Sequence, residues 1–193
     1  VVSVCDFCQT VVARGDTSVE DYGKVADLVD TGSPLKRGVT GRIDRRPFTI
    51  VGRTQYQHPA GGVWDEWYLT FSNGEWAWLA EAQGNFYVTK EKKLRKDSGL
   101  PDYDSLQVGG TVKIGAADFD VYERGVATCL AAEGEIPWSF RTGAEHKFAD
   151  LRDAKGRFAT LEYSPKKRVF VGRQVTLDDL KISSEGTDDQ AQV

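Results

Sequence analysis

The stretch Trp64 to Glu81, WDEWYLTFSNGEWAWLAE, holds four of the five tryptophans of the chain around an Asn73-Gly74 dipeptide. Such a stretch has few ways to fold. Asn-Gly is the strongest short-range signal for a two-residue type I′ turn, because both central residues must adopt positive φ. That turn sets Phe71 opposite Trp76, Leu69 opposite Trp78 and Trp67 opposite Ala80. Side chains alternate between sheet faces, so these residues share one apolar face, the core side of a hairpin. Each Trp or Phe in such a face buries roughly 150–250 Å². The other face then carries Glu66, Tyr68 and Thr70 opposite Glu81, Leu79 and Ala77. Glu66 directly across from Glu81 is a repulsive pair that calls for a cation. An arginine of the same domain, Arg42 or Arg53, or water meets that need most simply. The functional alternative is a bound cationic ligand, a metal or a polyamine, with Arg53 and Tyr68 completing the site.

The rest of the chain narrows the function classes. A net charge of −4 and a pI near 5.3 give no electrostatic pull toward nucleic acid or an anionic membrane. No apolar run approaches the roughly 20 residues that span a bilayer, and no signal peptide is visible, so the chain is not expected to cross a membrane and a cytoplasmic location is the default. There is no Met, even at position 1, and the chain reads as lacking its natural start.

Cys5 and Cys8 form a C-x-x-C pair. Two thiolates on one tight turn supply half of a tetrahedral zinc site, and the favoured reading is a partial knuckle whose partner pair lies upstream of Val1, with zinc bound in the full-length protein. A redox dithiol and two unremarkable cysteines are the other readings; the strand and helix that normally flank a redox C-x-x-C are missing. Cys129, beside Leu130 and Ala131, reads as a buried small hydrophobe.

From Asp16 to Asp30 the pattern suits a short helix with Tyr22, Val25 and Val29 on one stripe, weakened by Gly23. After the TGSP loop at 31–34, strand signals dominate to residue 175. Leu35, Gly38, Ile43, Phe48, Ile50 and Arg53 recur 71 residues later as Leu106, Gly109, Ile114, Phe119, Val121 and Arg124. Gly74, Trp76, Ala77 and Leu79 recur 82 residues later as Gly156, Phe158, Ala159 and Leu161. About eleven extra residues therefore enter the second copy, around 134–144. The expected fold is all-β: two tandem, internally repeated small antiparallel β units, barrel-like or sandwich, with one or two short helices. The divisions are 1–32, a partial zinc-ribbon-like segment and helix; 33–90, the first β unit; 91–105, a charged linker; 106–182, the second β unit; and 183–193, a tail without core-forming residues.

The run GRIDRRPFTIVGRTQYQHPAGGVWDEWYLTFSNGEWAWLAEAQGNFYV resembles a bacterial domain-of-unknown-function family, number 4178. Phe48, Gly52, Arg53, Trp64, Glu66, Tyr68, Gly74, Trp78 and Leu79 carry the match. FADLRDAKGRFATLEYSPKKRVFVGRQV is similar to the second part of longer members, so the resemblance covers about residues 33–180. It implies a zinc-ribbon-like N-terminus with two C-x-x-C pairs, no assigned catalytic residue, and a gene context of polyamine-related and envelope-stress systems.

No nucleophile elbow, P-loop or dinucleotide motif is present. His58, in a loop, and His146, at a strand start, read as surface or capping histidines, and Glu135 and Trp138 around Pro137 as an edge-strand bulge or a pocket lip. Two hypotheses follow. The favoured one is a non-enzymatic binding or adaptor module that engages a protein partner. The other is a ligand-handling enzyme or accessory that holds a small cationic substrate at Glu66, Glu81, Arg53 and Tyr68.

Overall fold

The computed structural model describes residues 2–4, 27–94, 99–137, 141–164 and 166–183, together with the backbone of 10–14 and 19–24. Cys5, Cys8, Trp138 and the tail beyond Ser183 lie outside the described residues. Among the described residues thirteen strands run in chain order: β1 (Val2–Val4), β2 (Thr10–Arg14), β3 (Val19–Lys24), β4 (Thr40–Ile43), β5 (Arg46–Gln57), β6 (Val63–Phe71), β7 (Trp76–Ala82), β8 (Asn85–Glu91), β9 (Thr111–Ile114), β10 (Ala117–Ile136), β11 (Glu145–Arg152), β12 (Arg157–Glu162) and β13 (Arg168–Val175). Among the described residues the helical content is a single 3-10 turn, Tyr103–Ser105, and a four-residue helix, α1 (Leu177–Leu180), started by a Thr176–Asp179 capping box. The mainly β reading holds. The helix expected over 16–30 does not form: residues 19–24 pair with β2 as strand β3, so backbone pairing with a neighbour overrides the weak helical stripe.

The repeat is visible as two five-strand meanders, β4–β8 and β9–β13, each paired strand to next strand in antiparallel order. Equivalent positions do equivalent work. Gly38 N donates to Ile50 O at 2.8 Å, and Gly109 N to Val121 O at 2.7 Å. A bulge falls between Ile50 and Gly52 in one copy and between Val121 and Glu123 in the other. Residues 117–136 form one continuous strand, β10, with the Phe148 ring packed over Gly125.

The two meanders are not separate barrels. β8 pairs with β13, and β5 pairs with the second half of β10, so eight strands hydrogen-bond in a ring: β5, β6, β7, β8, β13, β12, β11, β10 and back to β5. β10 closes it by changing partner at Thr128, which faces Glu145 of β11 on one side and Gln57 of β5 on the other. The segment that holds the added residues is 129–144, against 58–62 in the first copy; it starts earlier than the expected 134–144, and its first part, 129–134, is the stretch of β10 that bonds β5. Beyond the ring, Glu135 and Ile136 pair with β1, which carries β2 and β3 as an attached sheet.

The central hairpin forms, one residue away from the expected register. Phe71 N donates to Glu75 O and Gly74 N to Phe71 O, both at 2.9 Å, which makes a three-residue loop. Only Gly74 takes positive φ, 79°; Asn73 uses its side chain instead, accepting from Glu75 N at 3.1 Å. A type I turn followed by a left-handed glycine is the next common hairpin solution. The shift moves side chains between faces. Trp67 now faces Leu79, Leu69 faces Ala77, Tyr68 faces Trp78, and Glu66 faces Ala80. Gly156 closes the same loop in the second copy, with Asp153 N to Arg157 O at 3.1 Å.

Each meander therefore has two buried sides. The outward side packs in its own core: Ile50, Trp67, Leu69 and Leu79 under Leu35 and Leu180 in the first copy, and Phe119, Val121, Leu151 and Leu161 under Leu106 in the second. The inward sides meet in a shared cluster that includes Tyr56, Tyr68, Trp78, Cys129, Phe148 and Phe170. Both seams of the ring depend on a strand-to-strand approach that leaves no room for a side chain. A Cβ on Gly52 would lie 1.9 Å from Glu135 O, and one on Gly172 would lie 1.7 Å from Val88 O. Gly172→Ala is expected to cost about 3 kcal/mol or more by forcing β8 and β13 apart. Urea unfolding checks this; an unchanged midpoint would mean that the seam is not packed as described.

Candidate functional site

The ring encloses a cavity of about 280 Å³. Its inward residues come from alternate positions of β6, β7, β8, β11 and β12, as period-two geometry requires. Aromatic rings form most of the wall: Trp64 meets Phe148 edge-on at 5.5 Å, and Tyr87 lies 4.5 Å from Phe158. Glu123 on β10, its side chain 38% exposed, lines the cavity, and three further carboxyl groups interrupt the wall: Glu66 on β6, Asp150 on β11 and Glu162 on β12. Glu162 and Asp150 are diagonal neighbours across the β11–β12 pair, since Asp150 faces Thr160.

All three acids are held in a poorly solvated place, which disfavours the ionised form. Burial pushes Glu66 up to about 7, against a hydrogen bond of 3.2 Å from Trp64 Nε1, with Asp150 adding to the rise. Burial likewise pushes Asp150 to about 7, outweighing a hydrogen bond from Thr160, and Glu123 on the facing strand raises it further. Glu162, 4% exposed, is pushed to about 8 by burial and by Glu66, against the pull of Arg168, whose Nε stands 3.5 Å away. His146 is 8% exposed and packed at a tilt 4.7 Å from Tyr56, so it is a buried wall residue and not the surface or capping histidine expected. Burial, then Arg168, pushes it down to about 4 and keeps the ring neutral. His58 does cap its loop, accepting from Ala60 N through Nδ1 at 3.1 Å, while Nε2 meets Glu123 Oε1 at 2.7 Å.

The opposition of Glu66 and Glu81 does not exist. The one-residue register shift puts Asp65 across from Glu81 and turns Glu66 to the other side of the sheet. Glu81 is an outward residue that accepts from Trp67 Nε1 at 2.9 Å and Ser33 Oγ at 2.6 Å. Arg53 bonds Asp65 at 2.8 Å and lies over the Trp67 ring at 4.7 Å. Asp65, 1% exposed, also accepts from Thr31 Oγ1 at 2.6 Å, and Gln55 exchanges two hydrogen bonds with the backbone of Val29. Arg53 and Glu81 thus pin the segment 29–33 to the outer face. Tyr68 faces inward but packs against Trp76 and Trp78, and burial, with Glu135 nearby, raises its hydroxyl pKa. Of the four residues expected to share a site, Glu66 alone lines the cavity.

The model of a family described as a domain of unknown function, DUF4178, matches residues 36–177. The chain belongs to this family. No curated protein and no solved structure matches it. The DUF4178 region contains the whole ring and the cavity acids, whereas β1 to β3 precede it. Residues that carried the resemblance divide by role: Phe48 and Leu79 are core, Gly52 is at a seam, and Trp64, Glu66 and Trp78 line the cavity.

Sequence reasoning missed Asp150 and Glu162, although the repeat itself held the signal. At the 82-residue offset Asp150 corresponds to Tyr68, Glu162 to Ala80, and Glu66 to Phe148. Each acid replaces an apolar or aromatic residue, and the counterparts of Asp150 and Glu66, Tyr68 and Phe148, are buried.

Raised carboxyl pKa values make folding take up protons. The stabilisation is complete below the ordinary values of 3.8 and 4.5 and is lost as pH rises through about 7 to 8, each acid withdrawing about 1.4 kcal/mol per pH unit over that span. The unfolding midpoint in urea is expected to fall between pH 5.5 and 8.5, and Glu162→Gln to flatten that fall. A midpoint that rises with pH in both proteins would refute the burial of these acids.

Proposed function

We propose that the ring interior binds a small organic cation and that the protein is a binding module, not an enzyme. The observation that carries this reading is Glu162, a buried carboxylate facing the cavity whose Oε2 accepts no hydrogen bond among the described residues. Arg168 stands beside Glu162, and burial disfavours the ionised form of all three acids. A guest with a positive charge ionises them and gains charge-assisted hydrogen bonds in a place where water screens little. The aromatic wall supports the same class, since rings attract a cation to their faces and bury the apolar body attached to it. Among the described residues no group of three or more His, Cys, Asp or Glu side chains is placed to hold a metal ion. Acids spread over several strands suit an extended organic cation better than a point charge.

Nucleophilic chemistry has less support. Burial pushes the Cys129 thiol up to about 12, with Glu66 and Glu162 opposing its ionisation, and His146 is held neutral among rings. The small cationic ligand anticipated at Glu66 and Glu81 is retained as a class and relocated to Glu66, Asp150 and Glu162.

Calorimetric titration with hexylamine, and with hexanol as its neutral analogue, tests the proposal. Hexylamine is expected to bind and hexanol to bind at least about tenfold more weakly. Because the guest needs ionised acids, hexylamine affinity should rise from pH 6 to pH 8.5 with release of protons, and Glu162→Gln should weaken it by about tenfold. Equal affinity for the two probes, or affinity that falls with pH, would overturn the reading.

A further inference from the structure

The outer part of the cavity adds a cation, Arg152, to a lining whose exposed acid, Glu123, is already bonded to His58. Arg152 follows Asp150 by two positions on β11, so both side chains face inward, roughly 7 Å apart along the strand. Burial decreases from the floor, where Glu162, Thr89 and Phe170 are closed from solvent, to Arg152 and Tyr122, which are exposed at the mouth. Arg152 makes no ion pair among the described residues. Its Nη2 donates to Tyr87 Oη at 2.9 Å, and its guanidinium lies over the Tyr122 ring at 4.6 Å and the Tyr87 ring at 5.8 Å. Tyr122 reaches this place through the bulge of β10, the same device that sits at Val51 in the first copy.

A guanidinium held over the Tyr122 ring and bonded to the Tyr87 hydroxyl has its position set while donors remain for a ligand. That is the arrangement in which arginine takes a carboxylate through two parallel hydrogen bonds, at little further cost in side-chain ordering. We infer that the ligand is two-ended: an ammonium group reaches the acids inside, and a carboxylate at the far end of a short apolar chain is held by Arg152 at the mouth. The ligand class is then an extended zwitterion, an amino acid whose charges are separated by several methylene groups. The aromatic wall between Arg152 and Glu162 covers those methylenes. This inference rests on the cation-binding reading above and adds the anionic end.

The probes are ε-aminocaproate, hexylamine and caproate, which share one carbon skeleton and differ only in their ends. Calorimetric titration at pH 8 is expected to give ε-aminocaproate at least about tenfold tighter binding than hexylamine, with caproate weakest. Arg152→Gln should bring the ratio of the two amine affinities to about one, and Arg152→Lys, which keeps charge but loses the planar fork, should restore only part of it. A ratio of one in the unmodified protein, or a ratio that persists in Arg152→Gln, would overturn the two-ended ligand while leaving the cation site intact. Failure of both amines to bind would remove the cation site and this inference with it.

Discussion

Backbone hydrogen bonding across two seams, β5 to β10 and β8 to β13, is the constraint on which the rest of the molecule depends. Open the ring at either seam and two five-strand sheets remain, each with an outward core intact and an inward face of Trp, Tyr, Phe and half-buried acids turned to water. Neither sheet could be stable in that form, because an apolar face of this size must be covered. Closure covers both faces at once. It also prevents them from meeting completely, since ring geometry fixes the distance between opposite strands, and the side chains supplied do not fill the space. The cavity is thus a remainder of strand geometry, and its chemistry is decided by the residues at alternate positions.

Those positions have not been filled economically. Leu or Val at Glu66, Asp150 or Glu162 would add packing and remove the cost of holding a carboxyl group away from water. The same strands take Leu and Ala on their outward side, at Leu69, Ala149, Leu151, Ala159 and Leu161, all fully buried. Contrast between the two sides of one sheet separates residues kept for folding from residues kept for something else.

Much of the architecture was legible in the amino-acid order. Strand signals showed that strands dominate from residue 35 to 175, and the 71- and 82-residue offsets showed the duplication and the addition of about eleven residues to the second copy. What those residues do was not legible, because pairing between β10 and β5 is a long-range choice that leaves no local signature. The hairpin turn was read correctly as a turn and wrongly in length. Asn-Gly serves a two-residue loop and the last two places of a three-residue loop, and the decision belonged to burial of Trp67, Leu69 and Phe71 on the outward side. That single residue reassigned Glu66, separated it from Glu81 and moved the candidate site from the hairpin to the ring interior. His146 was misplaced because a strand start in the sequence is a ring wall in the fold.

The unequal copies carry a consequence for symmetry. A ring made by two identical chains presents every inward residue twice, related by a two-fold axis, and can offer only sites of equal ends. Here Glu66 stands where the other copy has Phe148, Glu162 where it has Ala80, and Arg152 where it has Thr70. Joining both copies in one polypeptide freed each inward position to change alone while the outward positions stayed matched. The interior thereby gained a direction, with one end unlike the other, which no assembly of identical halves can possess.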